Sequence, residues 1–489
     1  MKERIKEVLK TSGTYFVLLY AIVTIVFIIF MMRMNVLPLK YLLPVIIALL
    51  LLIVGMYFLQ FGKRVNKINK ILGKVLIVVL CGVMVYASTA FSKTEETIKK
   101  VTENKDMQTT VVSVIVLKEN KAEEIKDLKT SSFGTVSIGE VEFINKALDD
   151  IKKDLNVSSV KATEYDSYKD YADDLYDEKV DAIILNEGSR GIVEDQYQTF
   201  SDDTKVIKQY KYKTEVKDIS KDVDVTKEPF NVYISGIDTY GGISTVARSD
   251  VNMIASVNPN THQILLTSIP RDFYIPQTCQ NNQKDKLTHT GIYGVDCTIE
   301  SVEKYMDIDL NYYVRVNFSS LIDIVDALGG ITVENPHTFT SFDGNYFPAG
   351  NITLNGTEAL SFSRERHAFA DGDKERGRDQ MRVITGIINK AISPSIIANY
   401  SNVLDSISGS FETNMGNKDV TAFIKKQLND MSVWDIKQIQ VSGTGSTEWT
   451  PANGFNAYVM IPNEKSVTKA KTLIEKMHNG EKITDEDIE

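Results

Sequence analysis

Cysteine is scarce in this chain, three in 489 residues, so no disulfide framework carries the fold. Histidine is nearly as rare, at five, and His289 and His367 lack the ligand spacing of a zinc site. Positive charge is in deficit: 55 Lys and Arg stand against 65 Asp and Glu, a net charge of -10. A protein whose main partner is nucleic acid shows a basic face, and this balance argues against that class. Long apolar runs are missing after residue 91 and crowded before it.

Residues 15–32, 36–61 and 71–91 are three such runs, each near the ~20 residues that cross a bilayer. The first is followed by no small-residue cleavage site and by two more spans, so it is not a signal peptide. Lys2, Arg4, Lys6 and Lys10 precede it, and Lys63, Arg64, Lys67, Lys70 and Lys74 lie between spans two and three. The other turn has only Arg33 and Lys40. By the positive-inside rule the N-terminus and second loop are cytoplasmic, and three crossings place everything after residue 91 outside. Cys81 lies within a span. Cys279 and Cys297 both fall outside, where a disulfide between them is allowed.

The expected organisation is a membrane-anchored α/β protein. Three transmembrane helices occupy residues 1–91, and 92–107 form a linker or helical stalk. A small accessory α/β domain takes 108–228, a larger α/β domain 229–475 and a charged tail 476–489. In the accessory domain VVSVIVL reads as a buried strand and 141–155 as an amphipathic helix. Residues 160–163, DAIIL and 205–212 complete the alternation. Asp173, Asp174, Asp177 and Glu178 read as a solvated helix face rather than a metal site. No catalytic grouping stands out there.

The larger domain begins with the strand NVYISGID, which ends at Asp238. A hairpin across the turn NPNT places Asp250, where its first strand starts, beside Arg271, where its second ends. Asp238 and Arg248 reach the same end. Two carboxylates with phosphate oxygens suit Mg²⁺; two surface salt bridges are the plainer alternative. Further on, 295–306 and FSSLIDIVDALGG read as helices, the second stopped by Gly329 and Gly330. NYYVRVN and ITVENP read as strands, which predicts a mixed sheet flanked by helices.

Residues 361–382, SFSRERHAFADGDKERGRDQMR, hold Arg364, Arg366, Arg376, Arg378 and Arg382 with acids interleaved. From about Lys374 the spacing predicts a helix with the stripe Val383, Ile384, Ile387, Ile388 and Ala391. Stepping back along it reaches Gln380 and Arg376, which therefore face inward. Arg378 and Arg382 face the other way, and Arg378 is expected to meet solvent or a surface acid. An inward arginine needs a counter-charge. A local acid is one answer. With Arg364 and Arg366 just upstream a bound polyanion is the better one, because guanidinium groups fit phosphate bidentately.

GID with the following RSD, SIPRD, and SRER…DGDKERGRDQ together resemble the LytR-CpsA-Psr family of bacterial envelope proteins, over about 230–393. The three spans and inserted domain look most like its CpsA branch, associated with capsular polysaccharide. The resemblance implies a membrane enzyme that moves a polyprenyl-pyrophosphate-linked glycan onto a peptidoglycan hydroxyl and releases polyprenyl phosphate. It implies that Arg271, Arg364, Arg366, Arg376 and Gln380 hold the pyrophosphate and that Asp238 and Asp250 bind Mg²⁺, or Mn²⁺ in its place. Arg248 then lies beside the reacting phosphate, and Asp238 or Asp250 orients the acceptor. No residue is singled out as general base. The family's K-[IL]-[NT]-H-A-Y segment stands here as KLTHTGIYG, matching at Lys286 and His289 but altered at its end. Two other readings stay open: a hydrolase or pyrophosphatase using water at the same site, and a non-catalytic membrane regulator contacting capsule-assembly proteins.

Overall fold

The computed structural model describes residues 12–34, 37–103, 107–237, 239, 242–397 and 400–488. They form two compact units, one of the N-terminal helices with Ile397–Asp405 and Gly416–Ser432, the other of the remainder.

In the first unit, helices α1 (Ser12–Met34), α2 (Leu39–Phe61) and α3 (Lys67–Glu103) each carry a window long and apolar enough to span a bilayer, with mean hydropathy 2.7, 2.9 and 2.3. Large side chains such as Ile22, Leu51 and Val79 are exposed, as a lipid-facing surface requires, while Tyr20, Phe27, Met56, Ile77 and Met84 pack together. Helix α3 runs on to Glu103, so most of the segment expected as linker or stalk is helical.

The second unit opens with β1 (Met107–Leu117), β2 (Ser132–Val136), α4 (Val141–Leu155), β3 (Lys161–Tyr165), α5 (Tyr168–Tyr176), β4 (Ala182–Asn186) and β5 (Thr204–Glu215). The strands form one sheet in the order β3-β2-β4-β1-β5. The buried stripe of α4 (Phe143, Ile144, Ala147, Ile151, Leu155) joins the same core as Val112, Val114 and Ile183. Strand β2, SFGTV, was not foreseen; it is short and interrupted by glycine, though wholly buried. The acids near α5 pair with lysines, Asp173 with Lys169 and both Asp174 and Asp177 with Lys179. That is the solvated face expected.

Next come β6 (Phe230–Ile237), β7 (Ser249–Asn258), β8 (Gln263–Ile269), α6 (Val295–Met306), β9 (Tyr312–Val316), α7 (Phe318–Ala327), α8 (Gly356–Arg364), α9 (Gly372–Ala391), β10 (Glu412–Thr413), β11 (Asp435–Gln440) and α10 (Glu464–His478). The sheet order is β10-β9-β6-β7-β8-β11. Strands β9 and β6 are parallel, as are β11 and β8, and the other pairs are antiparallel, giving the mixed sheet expected. Tyr233, Ile254 and Leu265 pack with Ile299 and Val302 of α6 and with Leu473 and Ile474 of α10 on one face. On the other face α9 lies close to Ser268 and Gln440 at Gly377.

Two local features fix the elements around the site. Asn317 caps α7 by accepting from Ser320 N at 2.9 Å, and Gly329 and Gly330 stop it with φ of +73° and +86°. Cys279 and Cys297, 18 residues apart, are joined in a disulfide that ties the loop before α6 to that helix. Because β6 and β8 both run antiparallel to β7, the end of β6, the start of β7 and the ends of β8 and β9 lie along one edge. That edge holds the site.

Candidate functional site

A cavity of about 400 Å³ opens at this edge. Its walls are apolar: Ile234 and Ile237 from β6, Val316, Phe318 and Leu321 around the start of α7, Leu360 from α8, and Val383 and Ile384 from α9. Its lining also carries Arg248, Asp250, Arg271, Arg364, Arg366, Arg376 and Gln380. Each site residue inferred from sequence thus lines one cavity, except Asp238, which lies outside the described residues. Five arginines face two carboxylates there, Asp250 and Asp195.

The hairpin does what its register predicted. Arg271 Nη1 donates to Asp250 Oδ2 at 2.6 Å, and the Thr288 hydroxyl donates to Asp250 Oδ1 at 2.7 Å. Burial alone would raise the Asp250 carboxyl. Arg271, then Arg248, the Thr288 hydroxyl and Arg376, outweigh it and hold the group well below the usual carboxylate range. Asp250 in turn pushes the Arg271 guanidinium up. Arg376 shifts the other way: burial first, then its neighbour Arg271, push it below its ordinary value. Its nearest acid, Asp373 at 3.2 Å, is 41% exposed and compensates weakly. Arginine stays charged in spite of this, so the site holds a cation whose surroundings favour an added anion.

Along α9, Arg376, Gln380, Val383 and Ile384 lie on one face and line the cavity. Gln380 Nε2 donates weakly to Ser363 O, at 3.4 Å. Arg364 lies over the Phe318 ring, 4.4 Å from its centroid.

The partner expected for Arg378 is corrected. It donates to Glu375 at 2.6 Å, and that side chain is 5% exposed, a buried acid rather than solvent or a surface one. Arg382 donates to Glu375 at 2.6 Å and to Asp379 at 2.5 Å, the latter 1% exposed. The acids occupy a third side of the helix, and the guanidinium groups fold back onto them. The outcome is uneven. Arg382 and Arg378 overcome burial to lower the Glu375 carboxyl, whereas burial pushes Asp379 up to about 7 against the pull of Arg382.

Of KLTHTGIYG, Thr288 hydrogen-bonds the inferred site residues, its hydroxyl donating to Asp250 and its N–H to Arg271 O, and Gly291 packs on the Arg248 backbone. Lys286 pairs with Asp272 at 3.3 Å, and His289 Nδ1 lies 2.8 Å from Asp285, which also accepts from Ala452 N. These two residues fasten the loop. Sequence reading passed over Thr288, Glu365 and Asp195. Thr288 had a signal, being two residues from Lys286 in a matched segment.

Residues 193–476 match the LytR_cpsA_psr family, over half of the 489-residue chain. The chain belongs to the LytR-CpsA-Psr family. Similar curated members include the polyisoprenyl-teichoic acid–peptidoglycan teichoic acid transferase TagU of Enterococcus faecalis. It is 39% identical over 222 residues, 45% of this chain and 72% of that protein. The Bacillus subtilis TagU is 35% identical over 251 residues, 49% and 75% of the two chains. As their names state, these LytR-CpsA-Psr proteins transfer teichoic acid from a polyisoprenyl carrier to peptidoglycan. Among solved structures, B. subtilis TagV is 26% identical, with a TM-score of 0.45 over 53% of this chain and 99% of that one. The family match begins at residue 193, inside the segment read from sequence as accessory.

Proposed function

We propose that this chain transfers a polyprenyl-pyrophosphate-linked glycan to a peptidoglycan hydroxyl on the outer face of the bacterial membrane. The carrying observation is the convergence of Arg248, Arg271, Arg364, Arg366 and Arg376 in one largely apolar cavity that also holds two carboxylates. An apolar tail fits the walls, and a pyrophosphate fits the arginines. The three apolar helices at the start of the chain suit an enzyme whose substrate is a membrane lipid. The spans and the inserted α/β domain, which resemble the CpsA branch, support a capsular polysaccharide as the glycan and capsule-assembly membrane proteins as partners.

The acceptor oxygen attacks the sugar-side phosphorus. A new O–P bond forms, the bond to the bridging oxygen breaks, polyprenyl phosphate departs with that oxygen, and the acceptor proton is lost to solvent. Such transfer is catalysed chiefly by positioning and charge stabilisation. Arg271, Arg364, Arg366, Arg376 and Gln380 bind and orient the pyrophosphate, and Arg248 stabilises charge on the reacting phosphate. Asp250 suits a divalent cation: it is held ionised, and each oxygen keeps a lone pair beyond its one described donor. Mg²⁺, or Mn²⁺, held there with Asp238 would supply further neutralisation of the pyrophosphate.

Mass spectrometry of lipid co-purifying with the detergent-extracted protein tests the substrate class. A polyprenyl pyrophosphate or its glycan-linked form is expected, and an exclusive content of ordinary phospholipid counts against the reading. Incubation with lipid-linked glycan, with and without peptidoglycan chains, separates transfer from hydrolysis. Free glycan phosphate formed equally in both would favour the hydrolase.

A further inference from the structure

Arg248 is held by residues outside the fold that carries the other arginines. Its segment is stitched to strand β1 of the inserted domain: Thr109 N donates to Ser244 O at 2.8 Å, and Val246 N donates to Thr109 O at 3.0 Å. Its guanidinium lies flat on Gly191, where a Cβ would stand 2.4 Å from Cζ and from Nη2. Gly291 packs against the backbone of the same loop, since a Cβ there would come within 2.5 Å of Ala247 O and 3.0 Å of Arg248 C. Gly291 belongs to the altered end of KLTHTGIYG, which accounts for a small residue at that position.

Arg248 Nη1 donates to Asp195 Oδ2 at 2.9 Å, and both residues line the cavity. Arg248's side chain is 8% exposed and Asp195's is 47% exposed. Asp195 follows a short helix, Arg190–Glu194, that is itself braced. Arg190 donates to Glu187 at 2.6 and 2.9 Å and to Ser201 at 3.0 Å, while Ile192 and Val193 are buried in the inserted domain's core. The acid is therefore presented from a fixed support rather than from a free loop.

We propose that Asp195, carried by the inserted α/β domain, is a positioning residue that holds the Arg248 guanidinium at the reacting phosphate, which makes this domain part of the active site. The assignment rests on the transfer reading above. It commits to holding over competing. An acid that merely occupied Arg248 until phosphate arrived would weaken substrate binding, and its removal would tighten it. An acid that orients Arg248 affects turnover instead, because small misplacements of a catalytic group cost up to about a hundredfold in rate.

The test uses the full chain in detergent with a polyprenyl-pyrophosphate-linked disaccharide and peptidoglycan chains. Asp195→Ala is expected to lower kcat about tenfold or more, with KM within about twofold of wild type. Asp195→Asn, which retains a neutral acceptor of the same shape, should recover part of that loss. Gly191→Ala should lower kcat as well, by displacing the guanidinium. The double variant Arg248→Ala/Asp195→Ala should be no slower than Arg248→Ala alone, as expected of a residue acting only through its partner. An unchanged kcat in Asp195→Ala with wild-type turnover intact overturns this assignment alone, as does a lowered KM or a double variant slower than either single one. A wild-type protein that turns over no lipid-linked glycan removes the transfer reading and this assignment with it.

Discussion

Arg376 and Arg378 are two residues apart and chemically identical, yet truncating them should have opposite consequences. Arg376 is 16% exposed and lines the cavity, and Asp373 and Asp250 together do not offset its burial and its neighbour Arg271. Losing a desolvated charge-assisted contact to phosphate costs about 2–5 kcal/mol. Arg271, Arg364 and Arg366 remain to share the load, which favours the lower end, about thirtyfold in affinity. Arg378 is 43% exposed, and Glu375, its partner, keeps Arg382 at 2.6 Å after truncation. Because only the Arg378 end of the pair is exposed and the buried Glu375 is not left unpaired, the loss is about 1 kcal/mol and falls on stability rather than binding. Stability supplies a second contrast. Burial and then Arg271 disfavour the charge on Arg376, so Arg376→Ala should not lower the melting temperature of the ligand-free protein. Calorimetric titration of the detergent-solubilised chain with geranyl pyrophosphate checks the binding. About thirtyfold weaker binding in Arg376→Ala and less than about fivefold in Arg378→Ala are expected. Equal losses, or a larger one at Arg378, would refute the division of α9 into a cavity face and an acid-paired face.

Asp379→Asn should raise stability at pH 8 by on the order of 1 kcal/mol. Burial lifts this carboxyl to about 7, so the folded state keeps a proton that the unfolded chain loses near the ordinary 3.8. Stability from the group is then complete below about 4 and declines as pH rises to about 7. Thermal melts at several pH values decide it, and a lower melting temperature for Asp379→Asn at pH 8 would mean that the Arg382 ion pair outweighs burial. Asp250→Asn should weaken the divalent-cation dependence of transfer, and dependence identical to wild type would take Asp250 out of the metal site. Alkylation of the denatured, unreduced protein should label Cys81 alone, and all three cysteines after reduction. Cys297→Ser should lower stability by about 3 kcal/mol, the value for a loop of this length. Protease added to intact protoplasts should remove the portion after residue 91, and full protection of that portion would overturn the outward orientation.

What was legible in the sequence was what periodicity alone decides. The hairpin register brought Asp250 to Arg271 because an antiparallel pair with a short turn leaves little freedom, and the 2.6 Å contact follows. The α9 stripe placed Arg376 and Gln380 on the cavity side with Val383 and Ile384, although of the predicted apolar stripe only Val383 is buried, Ile384, Ile387 and Ile388 being half-buried and Ala391 exposed. A two-faced view of that helix was nevertheless too coarse. Glu375 and Asp379 turn to a third side that is closed to solvent, which no wheel drawn from one apolar stripe shows. Asp195 was illegible for another reason. It stands in an ordinary acidic stretch after Glu194, and only the docking of the inserted domain onto the Arg248 loop brings it to the cavity.

The interleaving of charge in SRER…DGDKERGRDQ raises the question of how a chain with net charge -10 builds a cationic site from a segment nearly as acidic as it is basic. Folding separates the two signs. Glu365 stands between Arg364 and Arg366 in sequence but is 1% exposed, and it accepts from the backbone N–H groups of Phe342, Arg366, His367 and Ala368 at 2.5–2.9 Å. These donors hold its carboxyl below the usual range against burial. Its charge is spent fixing the turn between α8 and α9, while its two neighbours line the cavity. Glu375 and Asp379 go to a third side of α9, away from the cavity, and take Arg378 and Arg382 with them. Every acid of the segment that is buried is thus engaged away from the arginines that matter. Turning one of them back toward the cavity would neutralise the site, which makes the placement of Glu365 as consequential for anion binding as that of the arginines beside it.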